Sequence, residues 1–273
     1  MEDTTKYIGK LHNRRVLIIG GTSGIGLCVA EAALEHGANV TISGSTDGKL
    51  KNALAHLRQF TTPLAHNLDT SVPAISGHTC DLSDPSSQES ALRSLFQATT
   101  VEGKSKLDHV VFTAGNNISI PRLEDITPDL VQAMQNVRIL APIMLAKIVP
   151  AYMTTSAHSS LTLTGGTQAL KPSPGWSVMA GIMSSITGLT RGFAVDLRPI
   201  RVNAVFPGAV KSTATNVMDP VLLEEAMTKF RSTTLTGTVG IAEEVAEAYL
   251  YCMKSSYASG TMVVVDGGKL LKE

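Results

Sequence analysis

Short apolar runs rich in valine and isoleucine alternate along the chain with longer stretches in which alanine, leucine and methionine recur every three or four residues. A short continuous apolar run marks a strand buried in a sheet, and recurrence at three and four marks a helix. Strands are therefore expected at Arg15–Ile19, Asn39–Ser43, Ser76–Asp81, Asp108–Thr113, Ser160–Thr164, Arg201–Val205 and Thr261–Val265. Helices are expected at Gly24–His36, Gly48–Leu57, Ser86–Ala98, Thr127–Thr155, Gly175–Leu197 and Ala242–Lys254. This alternation is that of βα units around a parallel sheet, which places the chain in the α/β class. Thr61–Pro73, rich in serine, threonine and proline, reads as a surface loop, and Lys211–Gly240 as a long insertion beside a site. No repeat or linker interrupts the pattern, so residues 1–273 read as one domain.

Composition narrows the function classes. With 43% hydrophobic and 17% charged residues, the chain has enough apolar material for a large core. Equal numbers of basic and acidic residues leave no long-range field to draw nucleic acid or an anionic membrane. No run of about 18 apolar residues is present, and Met1–Lys10 lacks the apolar core of a signal peptide. A cytoplasmic protein with neither membrane nor nucleic-acid partner is expected. Cys28, Cys80 and Cys252 are widely spaced in apolar contexts and read as reduced core thiols. The seven histidines show no metal-ligand spacing.

The first expected strand runs into Gly20-Gly21-Thr22-Ser23-Gly24-Ile25-Gly26 and then an alanine-rich helix. Glycines permit a tight turn and let backbone amides approach a pyrophosphate, whose charge the helix N-terminus favours. A glycine turn without a ligand is the blander alternative. The second strand ends Ser43-Gly44-Ser45-Thr46 with no acidic residue, and Lys49 and Lys51 follow. A terminal carboxylate would bind the adenosine ribose and repel a 2′-phosphate, whereas hydroxyls and a lysine accept one. The preference is therefore for NADP(H), with Ser43, Ser45 and Thr46 near the adenosine phosphate. An ordinary polar turn is the alternative.

These segments resemble the short-chain dehydrogenase/reductase family, with Ile19 where its glycine fingerprint has a threonine. Cys80-Asp81-Leu82 is similar to the family's segment that meets the adenine, and Thr113-Ala114-Gly115-Asn116 to the one ending its fourth strand. Arg201 through Gly208, with Pro207 and Gly208 and nearby Val210, resembles the loop that covers the nicotinamide. Val265-Asp266-Gly267-Gly268 is similar to the C-terminal signature. The resemblance implies a single Rossmann-type, doubly wound domain with a seven-stranded parallel sheet flanked by helices. It also implies a homodimer or homotetramer paired through the two longest helices.

Aligning Gly188-Leu189-Thr190-Arg191 with the family's similar segment puts Met179 where the family has its catalytic tyrosine and Met183 where it has lysine. Gly166 then stands at the serine position and Arg138 at the asparagine position. Methionine carries no titratable proton, so a carbonyl route that ends in a protonated alkoxide lacks its acid. Trp176 lies three residues before Met179, on about the same helical face, where its indole would cover a planar cation. A packing role is the alternative. Arg138, in an otherwise apolar helix, would contact a substrate carbonyl or the pocket wall, or else belong to an ion pair. Thr167, Gln168 and Ser173 are further polar candidates, and Met134, Met144, Met153, Met179 and Met183 offer an adaptable apolar lining.

Pro172-Ser173-Pro174-Gly175-Trp176, together with Arg138, resembles a fungal branch of the family, the reductase/Diels–Alderases of bicyclic diazaoctane indole alkaloids. That resemblance implies iminium reduction by NADPH in a small, apolar, nitrogenous substrate, followed by a stereocontrolled intramolecular cycloaddition. Arg138, Trp176 and Ser173 would be the catalytic set, although the branch carries an aspartate where this chain has Ser173. Two other readings remain open. One is a cofactor-free isomerase or cyclase on the same fold, and the other a noncatalytic NADP(H)-binding subunit or redox sensor.

Overall fold

The computed structural model describes residues 6–67, 73–115, 118–211 and 220–273. Its main sheet has seven parallel strands in the order β3-β2-β1-β4-β5-β6-β9. These are β1 (Arg15–Ile19), β2 (Asn39–Gly44), β3 (Ile75–Thr79), β4 (His109–Phe112), β5 (Ser160–Thr164), β6 (Arg201–Pro207) and β9 (Met262–Val265). A small pair, β7 (Val210–Lys211) and β8 (Gly240–Ile241), stands apart.

Strand β1 shows why a strand buried on both faces reads as an unbroken apolar run. Val16 and Ile18 enter one core and Leu17 and Ile19 the other, because successive side chains point to opposite faces. Helices α1 (Gly24–Glu35) and α8 (Ala242–Lys254) cover the first face. Helices α3 (Gln88–Thr100), α5 (Ala141–Tyr152) and α6 (Ser177–Asp196) cover the second. The strand order reverses between β1 and β4, and a crevice at such a switch point is where open α/β sheets bind ligands.

Two expectations need correction. The expected loop at Thr61–Pro73 is helical as far as Asn67, since α2 spans Asp47–Asn67. The helix expected over Thr127–Thr155 is divided. Helix α4 (Pro128–Gln135) passes into a π-helical turn, Asn136–Leu140, before α5, and Met153–Thr155 lie beyond its end. The expected insertion at Lys211–Gly240 contains helix α7, Pro220–Ser232, while its residues 212–219 lie outside the described residues. Cys80 and Cys252 are buried thiols as expected, but Cys28 is only half-buried.

Candidate functional site

At the C-terminal end of β1 the chain turns so tightly that side chains are excluded. Gly20 has φ +92°, and a Cβ there would stand 2.5 Å from the Ala114 nitrogen. A Cβ on Gly26 would stand 2.3 Å from the Gly20 carbonyl oxygen. The turn is pinned from the next strand, because the Gly20 and Gly21 N–H groups both donate to the Ser43 carbonyl at 3.0 Å. Thr113 donates its N–H to Ile19 O at 2.9 Å from the other side. Ser23 occupies the N-cap of α1 without a side-chain capping bond, and no acidic residue lies in the first turn. The helix therefore presents a glycine-lined, positively polarised end beside Thr22, Gly24 and half-buried Ile25, a cradle that fits a pyrophosphate.

The neighbouring hydroxyls divide by position. Ser43 is wholly buried inside β2, so its hydroxyl is not a phosphate contact and that expectation is corrected. Its contribution is the backbone carbonyl that fixes the glycine turn. Ser45 and Thr46 are exposed at the strand end, as is Lys49. Asp47, which the sequence reading passed over, begins α2 and pairs with Lys51 at 2.6 Å. This is an i,i+4 pair on an exposed face, so the carboxylate near the hydroxyls is partly neutralised.

Asp81 is exposed after β3 and accepts the Ser83 N–H at 3.0 Å, which orders the segment above buried Leu82. Ala114 and Gly115 extend from β4 over the crevice, and Asn116 lies outside the described residues. Across the sheet, Gly208 follows Pro207 and donates its N–H to Val265 O at 2.9 Å. A Cβ on Gly208 would come within 2.9 Å of Asp266. Val210 is half-buried in β7. Asp266 itself accepts the N–H groups of Gly268 and Leu270 at 2.8 and 2.9 Å, so its role is to cap the C-terminal turn.

Beside this crevice Met134, Met179, Ile182 and Met183 form a small core of their own, packed by Leu130, Ile139, Trp176 and Val178. The Met183 sulfur lies against Gly166, and the Thr167 hydroxyl donates to Pro207 O at 3.4 Å. Trp176 packs against this cluster, which contains Met179. The π-turn places Arg138 so that its guanidinium stacks over Gly115, 3.2–3.3 Å from where a Cβ would stand. Burial pushes the pKa of Arg138 below the usual guanidinium range, yet such a group remains a cation at neutral pH. The π-turn rests on Gln88, which the sequence reading did not single out. Its buried amide donates to Leu82 O at 2.7 Å and to Asn136 O at 2.9 Å.

The loop leading to Trp176 is ordered by polar contacts. Ser173 is bonded through both its N–H and its hydroxyl to Gln168. Lys171 donates to the Lys272 carbonyl, and Lys272 donates to Thr234 O at 2.9 Å, so the C-terminal turn bridges this loop and the end of the insertion. Tyr249 on α8 comes near the end of β5, but it is wholly buried, its hydroxyl is 2.7 Å from that of Thr164, and burial pushes its pKa up. It is no substitute proton donor. Among the described residues no group of His, Cys, Asp and Glu is arranged to hold a metal.

Comparison with known proteins follows the same lines. The Short-chain dehydrogenase/reductase malC of Malbranchea aurantiaca is 40% identical over the full length of both chains. The solved structure of that MalC Reductase/Diels-Alderase superposes with a TM-score of 0.89 over 97% of this chain and 99% of its own. The fsr5 short-chain dehydrogenase/reductase of Gibberella fujikuroi is 38% identical over 99% of this chain and 100% of its own. A short-chain dehydrogenase of Burkholderia cenocepacia, solved in complex with NADP, is 25% identical with a TM-score of 0.78, over 95% and 99% of the two chains. A family profile described as an SDR-like Rossmann domain matches residues 7–272. With its parallel seven-stranded sheet and glycine turn in the family's arrangement, the chain belongs to the short-chain dehydrogenases/reductases.

Proposed function

We propose that this chain is an NADPH-dependent reductase of iminium substrates that also guides a stereocontrolled intramolecular Diels–Alder cyclisation, in the biosynthesis of indole alkaloids. The observation that carries the reading is the Met179–Met183 wall packed against Gly166, at the positions that resemble the family's tyrosine, lysine and serine. None of the three side chains can give or take a proton.

The cofactor would lie across Gly20–Gly26, with Thr22, Ser23, Gly24 and Ile25 at the pyrophosphate. Asp81 and Leu82 would meet the adenine, Ser45 and Thr46 the adenosine phosphate, and Ala114, Gly115, Pro207, Gly208 and Val210 the nicotinamide side. When bound, NADPH supplies a hydride, and an iminium that receives one becomes a neutral amine, so no acid is required. The chain's own work is then positional. The half-buried Trp176 would cover the planar cation, and the Arg138 guanidinium would hold a substrate carbonyl. Ser173 would supply a polar contact between them. The methionine wall excludes water from this chamber and adapts to an apolar shape. The description of MalC as a reductase/Diels–Alderase supports the coupling of the two steps.

A cofactor-free cyclase is disfavoured by the glycine cradle, whose positively polarised helix end suits a pyrophosphate. Against a noncatalytic NADP(H)-binding subunit or redox sensor stands the description of MalC as a reductase/Diels–Alderase. Mixing NADPH-loaded protein with an iminium-bearing indole alkaloid should oxidise the cofactor in a single turnover. Unchanged NADPH absorbance would overturn the reductase assignment.

A further inference from the structure

The segment between the short turn Thr167–Ala169 and α6 is closed by two hydrogen bonds between one pair of residues. The Ser173 N–H donates to Gln168 Oε1 at 2.7 Å. Gln168 Nε2 donates to Ser173 Oγ at 3.1 Å. A backbone N–H can only donate, so the first bond fixes which end of the Gln168 amide faces Ser173. Its nitrogen must then point at the hydroxyl oxygen, and an amide nitrogen accepts nothing. The single hydroxyl hydrogen is forced to turn away from Gln168.

The direction in which it turns matters because of what the loop carries. The Ser173 carbonyl accepts the Trp176 N–H at 3.1 Å, and Trp176 packs on the methionine wall. Ile120 stands 3.7 Å from where a Cβ of Gly175 would be, so the same turn meets an apolar rim. Ser173 is half-buried, and its hydroxyl is the polar group of that turn.

We infer that Gln168 is a positioning residue that sets the polarity of the Ser173 hydroxyl, so that this wall donates a hydrogen bond and selects substrates carrying a neutral amide or lactam oxygen over simple ammonium compounds. The inference rests on the proposed placement of substrate beside Trp176. The Arg138 cation over Gly115 acts in the same direction, since it too favours an electron-rich oxygen.

Two matched indoles test this on the NADPH-loaded protein by calorimetry. N-acetyltryptamine offers a neutral amide oxygen, and tryptamine offers an ammonium. The native protein should favour the amide by about three- to tenfold, the worth of one hydrogen bond. Gln168→Glu accepts both the N–H and the O–H of Ser173, which turns the hydroxyl hydrogen inward, and the preference should vanish or reverse. Ser173→Ala keeps the backbone bond and adds no charge, so loss of the preference there isolates the hydroxyl. NADPH affinity should stay within about twofold in both variants, because neither residue contacts the glycine cradle. An identical preference ratio in all three proteins overturns the inference. Failure of the reductase assignment has a separate signature, the absence of NADPH oxidation by an iminium, and does not enter this ratio.

Discussion

The Met183 sulfur lies 3.1 Å from where a Cβ on Gly166 would stand. A serine introduced at that one position would therefore point its hydroxyl into a thioether that neither donates nor accepts strongly. Gly166→Ser alone is expected to leave reduction of a simple ketone such as cyclohexanone at background. Combining it with Met179→Tyr and Met183→Lys should raise that rate by roughly 10²–10⁴-fold, the usual contribution of general acid catalysis. Brisk ketone reduction by the unaltered protein would show that another group protonates the product.

Gly26→Val should abolish NADPH binding. The added Cβ would fall 2.3 Å from the Gly20 carbonyl oxygen, a backbone atom that cannot swing aside. Calorimetry should show no saturable binding, with circular dichroism reporting whether the sheet survives. Retained affinity in a folded variant would place the cofactor elsewhere.

Selectivity between the two nicotinamide cofactors should depend on the Asp47–Lys51 pair. Removing the ammonium in Lys51→Ala leaves an uncompensated carboxylate two residues from Ser45. The preference for NADPH over NADH should fall by up to about fivefold, as befits an exposed ion pair. Asp47→Asn should raise it. If both changes move the ratio in one direction, the phosphate does not sit at this strand end.

Acid should destabilise the fold through His109. This residue is buried in β4 with Nδ1 2.9 Å from Ser160 Oγ. Burial first, and then the charges of Arg201, Arg14 and His158, push its pKa down from 6.5 to about 3. The folded protein therefore holds a neutral imidazole where the unfolded chain takes up a proton. Its contribution is fully present above 6.5 and is lost as pH falls towards 3. Urea unfolding between about pH 7 and about pH 5 should show stability declining with a slope approaching 1.4 kcal/mol per pH unit from this group. His109→Gln should flatten that slope.

Helix α6 exposes the small residues Gly181, Ser184, Gly188 and Gly192, and Val195 is 60% exposed beyond them. A face of small residues lets a second helix approach closely. Pairing of two copies through α5 and α6 is expected, and sedimentation at micromolar concentration should show a dimer or tetramer. Val195→Glu should shift the species towards the single chain. A monomer in the unaltered protein would refute the pairing.

The fold was legible because β1 is apolar on both faces and β4 and β6 hold short valine-rich runs, although His109, Arg201 and Asn203 lie buried in those two strands. The glycine turn was legible for a similar reason, since steric exclusion at Gly20 and Gly26 leaves a mark in residue type. Position within a strand was harder. Ser43 looked like a ligand because a hydroxyl at a strand end resembles one, whereas the pleat turns its side chain inward. The helical extension to Asn67 was hidden because Thr61, Thr62 and Pro63 are poor helix formers and read as loop residues. Gln88 and Gln168 were missed as organisers because a glutamine's bonds depend on partners distant in the chain or across a loop.

The π-turn at Asn136–Leu140 makes the site sensitive to residue number as well as residue type. Deleting one residue there would let α4 and α5 merge into a regular α-helix with both flanks near their present orientation, while the side chains inside the turn would be re-aimed by up to about 100° each. Arg138 would leave its stack over Gly115 even though the arginine itself had been kept. A single-codon deletion would then separate the chemistry of Arg138 from its location, which no substitution at that position can do.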